Sequence, residues 1–310
     1  MSLAPSSLMT IYFELGKVRL SMLVLITTLA GYLVAHGGGI EPLHLAAVLL
    51  GTGLAAVGAN GLNQVIERDR DALMERTMRR PLPAGLIGPV HAAVSSAVTA
   101  AAGVALLAWR AGALPAVLAL GTVVLYVGAY TPLKPRSTLN TLVGAVVGAI
   151  PPMIGWSAVT GGLESGAWLL FLLLFVWQVP HFLALAWLYR DDYRRGGYRM
   201  VSLRDDGGDV AFRLMMIYAW VLLPLGLLMA LAGLAGAWFA VGSLVLGGAW
   251  LWQGIRCYRD RSRLNARRVF LGSVMYLPLL LALMVADRGE DPTGRGMDGL
   301  PLTVVAEADR

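Results

Sequence analysis

The sequence is poor in charged residues and contains a single cysteine. Only 14% of its 310 residues are Asp, Glu, Lys or Arg, whereas a soluble domain has about a quarter. Because Cys257 is the only cysteine, internal disulfides, cysteine-based metal clusters and a C-x-x-C-H haem attachment are excluded. The arginines are scattered between apolar stretches and form no single basic patch, which argues against nucleic acid as a partner.

The sequence contains long apolar runs, and 57% of its residues are hydrophobic. A helix that crosses a bilayer needs about 20 mostly apolar residues, and nine stretches meet this requirement. They run approximately over Leu20–His36, His44–Gln64, His91–Trp109, Leu114–Tyr130, Asn140–Thr160, Trp168–Trp187, Phe212–Leu234, Trp238–Gln253 and Val269–Ala286. The sequence therefore predicts an all-α integral membrane protein with the lipid bilayer as its surroundings.

Basic residues are concentrated on one side of the predicted spans. All but four of the 25 lysines and arginines lie in the amino-terminal segment or in the connections after spans two, four, six and eight. Positively charged connections stay in the cytoplasm, so we expect a cytoplasmic amino terminus and an outer carboxyl terminus in a bacterial-type inner membrane. The predicted division is a cytoplasmic segment (1–19), one polytopic domain (20–286) and an acidic, disordered outer tail (287–310).

Polar residues spaced by four follow the second predicted span. Asn63, Glu67, Asp71 and Glu75 would share one helix face, where like charges repel unless a cation neutralises them. Mg²⁺ takes oxygen ligands from one or two carboxylates and from substrate phosphates, and an amide oxygen from Asn63 suits the same ion. This face is therefore a candidate magnesium site.

Arginines follow the same face within one or two turns. The guanidinium groups of Arg76, Arg79 and Arg80 are suited to clamp phosphate oxygens. The alternative is a solvated helix end with ion pairs three residues apart, such as Glu67 with Arg70. That alternative explains the charges but not the polar groups so close to an apolar segment, where they are costly and usually face a functional cavity.

The sixth predicted span carries polar side chains within its apolar run. Gln178 and His181 lie inside it beside Trp177, and Pro180 is expected to break the helical hydrogen-bond ladder there and to free backbone carbonyls. A histidine in a soluble core is usually structural, but within a membrane span function is more common. His181 is suited either to ligate a porphyrin iron or to hydrogen-bond a propionate.

Two further polar connections are predicted on the same side of the membrane as Asn63, Glu67 and Asp71. Asp191 and Asp192 offer a second acidic site, and Lys134 and Arg136 precede span five, where a helix amino terminus favours anions. The alternative for the two aspartates is ion pairing with the neighbouring arginines Arg190, Arg194 and Arg195. Within span five, Pro151 and Pro152 predict a break.

These motifs resemble the UbiA superfamily of intramembrane prenyltransferases. The segment from Asn63 to Leu82 is similar to the first aspartate-rich motif of that family, and the run from Trp177 to Ala186 is similar to its haem-modifying branch. Further similarities lie in Glu14–Arg19, Thr27–Tyr32, Tyr130–Asn140, Pro151–Gly155 and Asp192–Gly196. The resemblance covers about residues 10–285.

The chain departs from the family pattern at three places. Glu67 stands where Asp is usual, Val18 stands where Pro is expected, and the second acidic region lacks a full D-x-x-x-D repeat. The last departure disfavours a site with two magnesium ions and favours the haem-modifying branch.

The resemblance implies a bundle of nine transmembrane helices with a central cavity that opens to the cytoplasmic side. It further implies transfer of a farnesyl group from farnesyl diphosphate to a vinyl group of haem B, after which water captures the resulting cation. Haem B is then a substrate, Mg²⁺ is the cofactor, and haem A synthase or oxidase assembly factors are possible partners. The alternatives are a relative that prenylates an aromatic quinone precursor or chlorophyllide, and a membrane transporter or cofactor-binding scaffold.

The resemblance also suggests roles for individual residues. Lys134 is expected both to contact the diphosphate and to act in catalysis together with the metal ligands. The expected sets are Asn63, Glu67 and Asp71 for Mg²⁺, Arg76, Arg80, Lys134 and Arg136 for the diphosphate, Trp177, Gln178 and His181 for haem, and Asp191 and Asp192 for the second acidic site.

Overall fold

The computed structural model describes residues 7–36 and 40–288. Within these residues all regular elements are helical, and nine helical spans are long and apolar enough to cross a membrane. The helices are α1 (Leu8–Leu15), α2 (Val18–Ala35), α3 (Pro42–Asp71), α4 (Pro89–Arg110), α5 (Ala113–Val124), a π-helical turn (Leu125–Tyr130), α6 (Thr131–Leu133), α7 (Asn140–Ala149), α8 (Pro151–Thr160), α9 (Ser165–Leu188), α10 (Arg190–Arg195), a 3₁₀ turn (Val201–Leu203), α11 (Asp209–Leu231), α12 (Ala237–Arg259) and α13 (Arg263–Ala286).

The nine predicted spans are confirmed, with shifted ends. The largest change that matters for the site is in α3, which continues past the predicted end at Gln64 to Asp71. The short helices α1 and α10 were not predicted, because neither is long enough to cross a membrane. The predicted tail lies outside the described residues from position 289 onwards, as do residues 1–6 and 37–39.

Small residues let the spans on the amino-terminal side pack with their backbones in close approach. A Cβ atom on Gly31 of α2 would lie 2.1 Å from the carbonyl oxygen of Pro152 in α8, and one on Gly58 of α3 would lie 2.5 Å from the backbone nitrogen of Ala100 in α4. Helices in lipid associate through such contacts because burial of apolar surface gives them no separate driving force. These contacts fix α2 and α3, which carry one wall of the site.

Helix α9 packs against α7, α11 and α13, and its buried side chains belong to one large apolar cluster. As predicted, span five is broken: α7 ends at Ala149 and α8 begins at Pro151. In contrast, α9 continues without interruption past Pro180. This packing of α9 brings Trp177, Gln178 and His181 to the inside of the bundle.

Candidate active site

The carboxyl-terminal end of α3 presents three polar side chains on one face. Asn63, Glu67 and Asp71 are all buried, as the spacing of four predicts. The prediction was wrong for Glu75, because α3 ends at Asp71 and Glu75 lies in the turns that follow. The Glu75 side chain is 76% exposed and lies 2.8 Å from Arg195. The site therefore contains three members of the row instead of four.

Each of the three buried groups contacts a cation from elsewhere in the chain. The Lys134 ammonium lies 2.8 Å from Oε1 of Glu67, and Nη1 of Arg80 lies 2.7 Å from Oδ2 of Asp71. The Lys17 ammonium donates to Oδ1 of Asn63 at 2.6 Å. Buried carboxylates are tolerated only when they are paired, so the cations account for the burial of this face.

Lys17 is a site residue that the sequence analysis did not assign. It links α1 to α2 in a left-handed backbone conformation (φ 48°), which is uncommon for a residue with a side chain. Burial, together with the nearby positive charges of Arg80 and Lys134, lowers the pKa of Lys17 to about 7. The motif Glu14–Arg19 drew attention to this position, but its contact with Asn63 crosses 46 residues of sequence and has no local signal.

Aromatic rings surround the ammonium of Lys134. The Tyr130 ring centre lies 4.6 Å from Nζ, and the Tyr198 ring centre lies 5.7 Å from it. Burial acts to lower the pKa of Lys134, but Tyr130 and Glu67 outweigh it and hold the pKa well above its usual value. Lys134 is thus a charged group at the centre of the cluster, as expected of a diphosphate ligand.

The connection after α9 is docked onto this cluster. Arg70 donates to the carbonyl of Gly196 at 2.9 Å, and the backbone nitrogen of Arg199 donates to the carbonyl of Lys134 at 2.8 Å. The Asn140 amide donates to the carbonyl of Arg199 at 2.7 Å. These bonds hold the segment that carries Tyr198 against the face formed by α3.

The two aspartates of the predicted second acidic site have different surroundings. Oδ1 of Asp192 accepts hydrogen bonds from the Glu75 backbone at 3.0 Å and from Arg195 at 2.5 Å. Burial opposes its ionisation, but these two bonds hold the pKa of Asp192 below its usual range. Asp191 is exposed and lies 3.8 Å from Arg194. The ion-pairing alternative therefore describes the contacts of both residues.

Two of the predicted diphosphate ligands lie apart from the carboxylates. The Arg76 guanidinium stacks on the rings of Tyr189, at 4.6 Å, and Tyr193, at 5.5 Å, and donates to the Tyr193 hydroxyl at 3.3 Å. The side chain of Arg136 is exposed, while its carbonyl accepts a bond from Arg199. The structure thus brings Arg80 and Lys134 to the carboxylates and leaves Arg136 at the surface.

An apolar cavity of about 210 Å³ adjoins the cluster. Tyr130 lines the cavity and also contacts Lys134, and Tyr126, stacked on Tyr130 at 5.4 Å, donates to Asn60 at 3.2 Å. Both tyrosines lie in the π-helical turn, an element often found at functional sites. The cavity continues between α2, α7 and α9 with mostly apolar walls.

The predicted haem-binding residues line the same cavity. The indole of Trp177 donates to the carbonyl of Ser273 at 3.0 Å, and His181 stacks on Trp177 with ring centres 5.0 Å apart. The Gln178 amide donates to the carbonyl of Leu174 at 3.2 Å. One apolar cavity thus extends from Tyr130, beside Lys134, to the polar residues of span six.

The oxygen donors of α3 fit a magnesium ion that shares its coordination with a substrate. Within the described residues, no three His, Cys, Asp or Glu side chains are grouped closely enough to hold a metal by themselves. Oδ1 of Asp71 is buried and has no hydrogen-bond partner, so one acceptor remains to be satisfied. Two carboxylates plus phosphate oxygens and water are the usual environment of Mg²⁺.

The fold and this site define an intramembrane prenyltransferase: residues 24–281 match the UbiA prenyltransferase family, and the chain belongs to it. This confirms the resemblance inferred from the motifs. Among its relatives, the protoheme IX farnesyltransferase of Solibacter usitatus is 39% identical over 286 residues, covering 89% of this chain and 98% of that protein. The mitochondrial protoheme IX farnesyltransferase of Arabidopsis thaliana is 41% identical and covers 89% of this chain, which spans 64% of that protein's length.

Solved structures show the same fold at low sequence identity. A digeranylgeranylglyceryl phosphate synthase matches 91% of this chain and 98% of its own, with a TM-score of 0.75 at 15% identity. A UbiA homologue from Archaeoglobus fulgidus, bound to GPP and Mg²⁺, matches 89% of this chain and 99% of its own, with a TM-score of 0.61 at 13% identity. The predicted nine-helix UbiA-type bundle is therefore confirmed.

Proposed function

We propose that this chain transfers the farnesyl group of farnesyl diphosphate to a vinyl group of haem B, with addition of water, to give haem O and diphosphate. The observation that carries the proposal is a buried cluster of carboxylates and cations beside an apolar cavity that reaches His181. The relatives named protoheme IX farnesyltransferase, at about 40% identity, support the same substrates.

The polar cluster is suited to bind the diphosphate. Lys134 and Arg80 supply positive charge that is already in place, and Lys17 adds to it when protonated. When the bond between the farnesyl carbon and oxygen breaks, the electron pair leaves with the diphosphate, and preorganised cations stabilise that charge. Arg76 and Arg136 remain proposed contacts for the outer phosphate, since their guanidinium groups lie away from the carboxylates.

Asn63, Glu67 and Asp71 would hold Mg²⁺ in this proposal. The ion, when bound, supplies further neutralisation of the diphosphate charge. The unpaired buried Oδ1 of Asp71 and the neighbour bound to GPP and Mg²⁺ support this assignment. Because only two carboxylates are available within the described cluster, the phosphate oxygens of the substrate have to contribute to binding.

The apolar cavity is suited to the prenyl chain. Its volume of about 210 Å³ is below the roughly 300–1,000 Å³ of pockets that enclose drug-sized ligands, so a whole porphyrin needs more room. We therefore assign the prenyl chain of the substrate to the cavity. The vinyl-bearing edge of the porphyrin is assigned to the wall formed by Trp177, Gln178 and His181. The mostly apolar walls keep bulk water away from the allylic cation until the vinyl group attacks it.

The proposed orientation places the cluster on the cytoplasmic side. Its support is the charge distribution, because the connections that build the cluster also carry most of the arginines. Contacts with haem A synthase or oxidase assembly factors remain a prediction from the family.

Analysis of the haem product tests the proposal. Membranes that contain the protein are supplied with farnesyl diphosphate and Mg²⁺, and the extracted haem is examined by mass spectrometry. We expect a species heavier than haem B by one farnesyl group and one hydroxyl group. Unmodified haem, with diphosphate released as the farnesyl group passes to another acceptor, would keep the chain in the UbiA family and reject haem B as the substrate.

A further inference from the structure

The imidazole of His181 is held in one orientation by a serine on a neighbouring helix. Nδ1 of His181 lies 2.7 Å from Oγ of Ser273, and that hydroxyl lies 2.6 Å from the carbonyl oxygen of Phe270 one turn earlier in α13. The ring also stacks on Trp177, with ring centres 5.0 Å apart, and contacts the tilted ring of Phe270 at 4.9 Å. Both the position and the rotation of the imidazole are therefore constrained.

This chain of contacts fixes which nitrogen of His181 carries the proton. Both contacts are short enough to require a hydrogen between the atoms. The hydroxyl of Ser273 has one hydrogen, and the carbonyl of Phe270 has none to offer, so Ser273 donates to Phe270. Nδ1 of His181 must then donate to Ser273. In the neutral ring the other nitrogen, Nε2, is left as an acceptor.

Nε2 has no hydrogen-bond partner within the residues that the structure describes, and His181 lines the apolar cavity. A second acceptor lies one turn away on the same helix face. The Gln178 amide nitrogen donates to the carbonyl oxygen of Leu174. The amide oxygen of Gln178, Oε1, therefore faces the cavity wall at Gly148. Since a Cβ at Gly148 would lie 2.1 Å from this oxygen, only glycine leaves space for the amide.

We infer that His181 and Gln178 bind the water that ends the proposed reaction, and that Nε2 of His181 takes its proton. Two acceptors engage both hydrogens of one water, which leaves its lone pairs directed away from them. In the step, the vinyl electron pair has formed the bond to the farnesyl carbon and left a cation on the adjacent carbon. The water oxygen bonds to that carbon, and its proton passes to Nε2. Ser273 is a positioning residue, because it acts only through His181.

This inference rests on the proposed function and makes a prediction about product composition. Without the base, the cation loses a proton instead of gaining water, so the farnesylated haem is lighter than the normal product by one water. His181→Phe keeps an aromatic ring in contact with Trp177 and Phe270 and removes both nitrogens. In the farnesylated haem that this variant makes, we expect the ratio of hydrated to unhydrated product to fall by about 100-fold or more, the contribution typical of a general base.

Serine variants test the positioning role with a matched control. Ser273→Ala should lower the same ratio by about 10-fold, the lower end for loss of a partner that orients a histidine, and Ser273→Thr should restore it. Ser243→Ala is the control, because Ser243 is equally buried and donates to the carbonyl of Ala240 in the same way, but contacts no histidine in the described structure. The control should keep the wild-type ratio.

The outcomes separate this inference from the proposed function. Wild-type protein without any farnesylated haem would overturn both. Normal hydration in folded His181→Phe, with thermal unfolding in detergent as the check on folding, would overturn the inference alone. Complete loss of diphosphate release in that folded variant would assign His181 to substrate binding and would also overturn the inference.

Discussion

The Lys134 ammonium lies 2.8 Å from Oε1 of Glu67, and only 13% and 5% of the two side chains are exposed. Lys134 comes from the end of span four and Glu67 from α3, so the pair joins two helices that are separate in sequence. A buried pair of this kind is costly to break from one side, because the remaining charge stays buried. The pair is therefore both a structural contact and a source of charge for the proposed diphosphate site.

Removal of one partner should destabilise the protein more than removal of both. Lys134→Met leaves Glu67 charged and buried, which we expect to cost about 3–5 kcal/mol. The double variant Lys134→Met with Glu67→Gln should recover much of this stability but no farnesyl transfer. Thermal unfolding in detergent and diphosphate release measure the two effects. A double variant no more stable than Lys134→Met would show that the pair is not the source of the loss.

Asp71 should be essential for turnover, whereas its neighbour Asp69 should not. Asp71→Asn keeps the size of the side chain but weakens the contact with Arg80 and the proposed binding of Mg²⁺. We expect diphosphate release to fall by about 100-fold or more, and chelation of Mg²⁺ should reduce wild-type release similarly. Asp69→Asn is the control, since Asp69 is 84% exposed and contacts only its neighbour Arg68 among described ion pairs. Unchanged release by folded Asp71→Asn would reject the metal assignment.

Helix positions and one face of the site were predictable because each depends on local sequence. The bilayer sets the length of an apolar run, and a spacing of four places Asn63, Glu67 and Asp71 on one face. The contact of Lys17 with Asn63 was not predictable, because it depends on how α1 and α2 pack against α3. For the same reason the sequence did not reveal that Arg80 pairs with buried Asp71 while the Arg136 side chain is exposed. Pairing across the bundle is a property of tertiary packing.

Asp192 should stabilise the protein only while it is ionised. Its pKa lies below the usual value, so the folded state favours the charged form. The contribution is therefore present above the ordinary carboxyl pKa of about 4 and is lost as the pH falls through the lower folded pKa. Asp192→Asn should cost about 1 kcal/mol at neutral pH, and its difference from wild type should shrink in acid. Asp191→Asn, at an exposed position, is the control and should keep the wild-type midpoint of thermal unfolding at neutral pH.

Close approach of α2 and α8 should make Gly31 intolerant of any side chain. A Cβ at Gly31 would lie 2.1 Å from the Pro152 carbonyl oxygen, and the facing Gly155 has the same restriction, at 1.9 Å from the Thr28 carbonyl. Both obstacles are backbone atoms, so no side chain can move aside and the helices must separate. We expect Gly31→Ala to cost at least the 1–3 kcal/mol typical of an overpacked core, and to impair transfer because α2 lines the cavity.

Gly121→Ala is the matched control for this prediction, since Gly121 also lies within a membrane helix but has open space where its Cβ would be. Alanine there should preserve or slightly raise stability, because it favours the helix more than glycine does. Thermal unfolding of both variants in the same detergent makes the comparison. If Gly31→Ala unfolds at the same temperature as the wild type, then α2 and α8 can separate at little cost in free energy. Their contact would then not be what fixes this wall of the cavity.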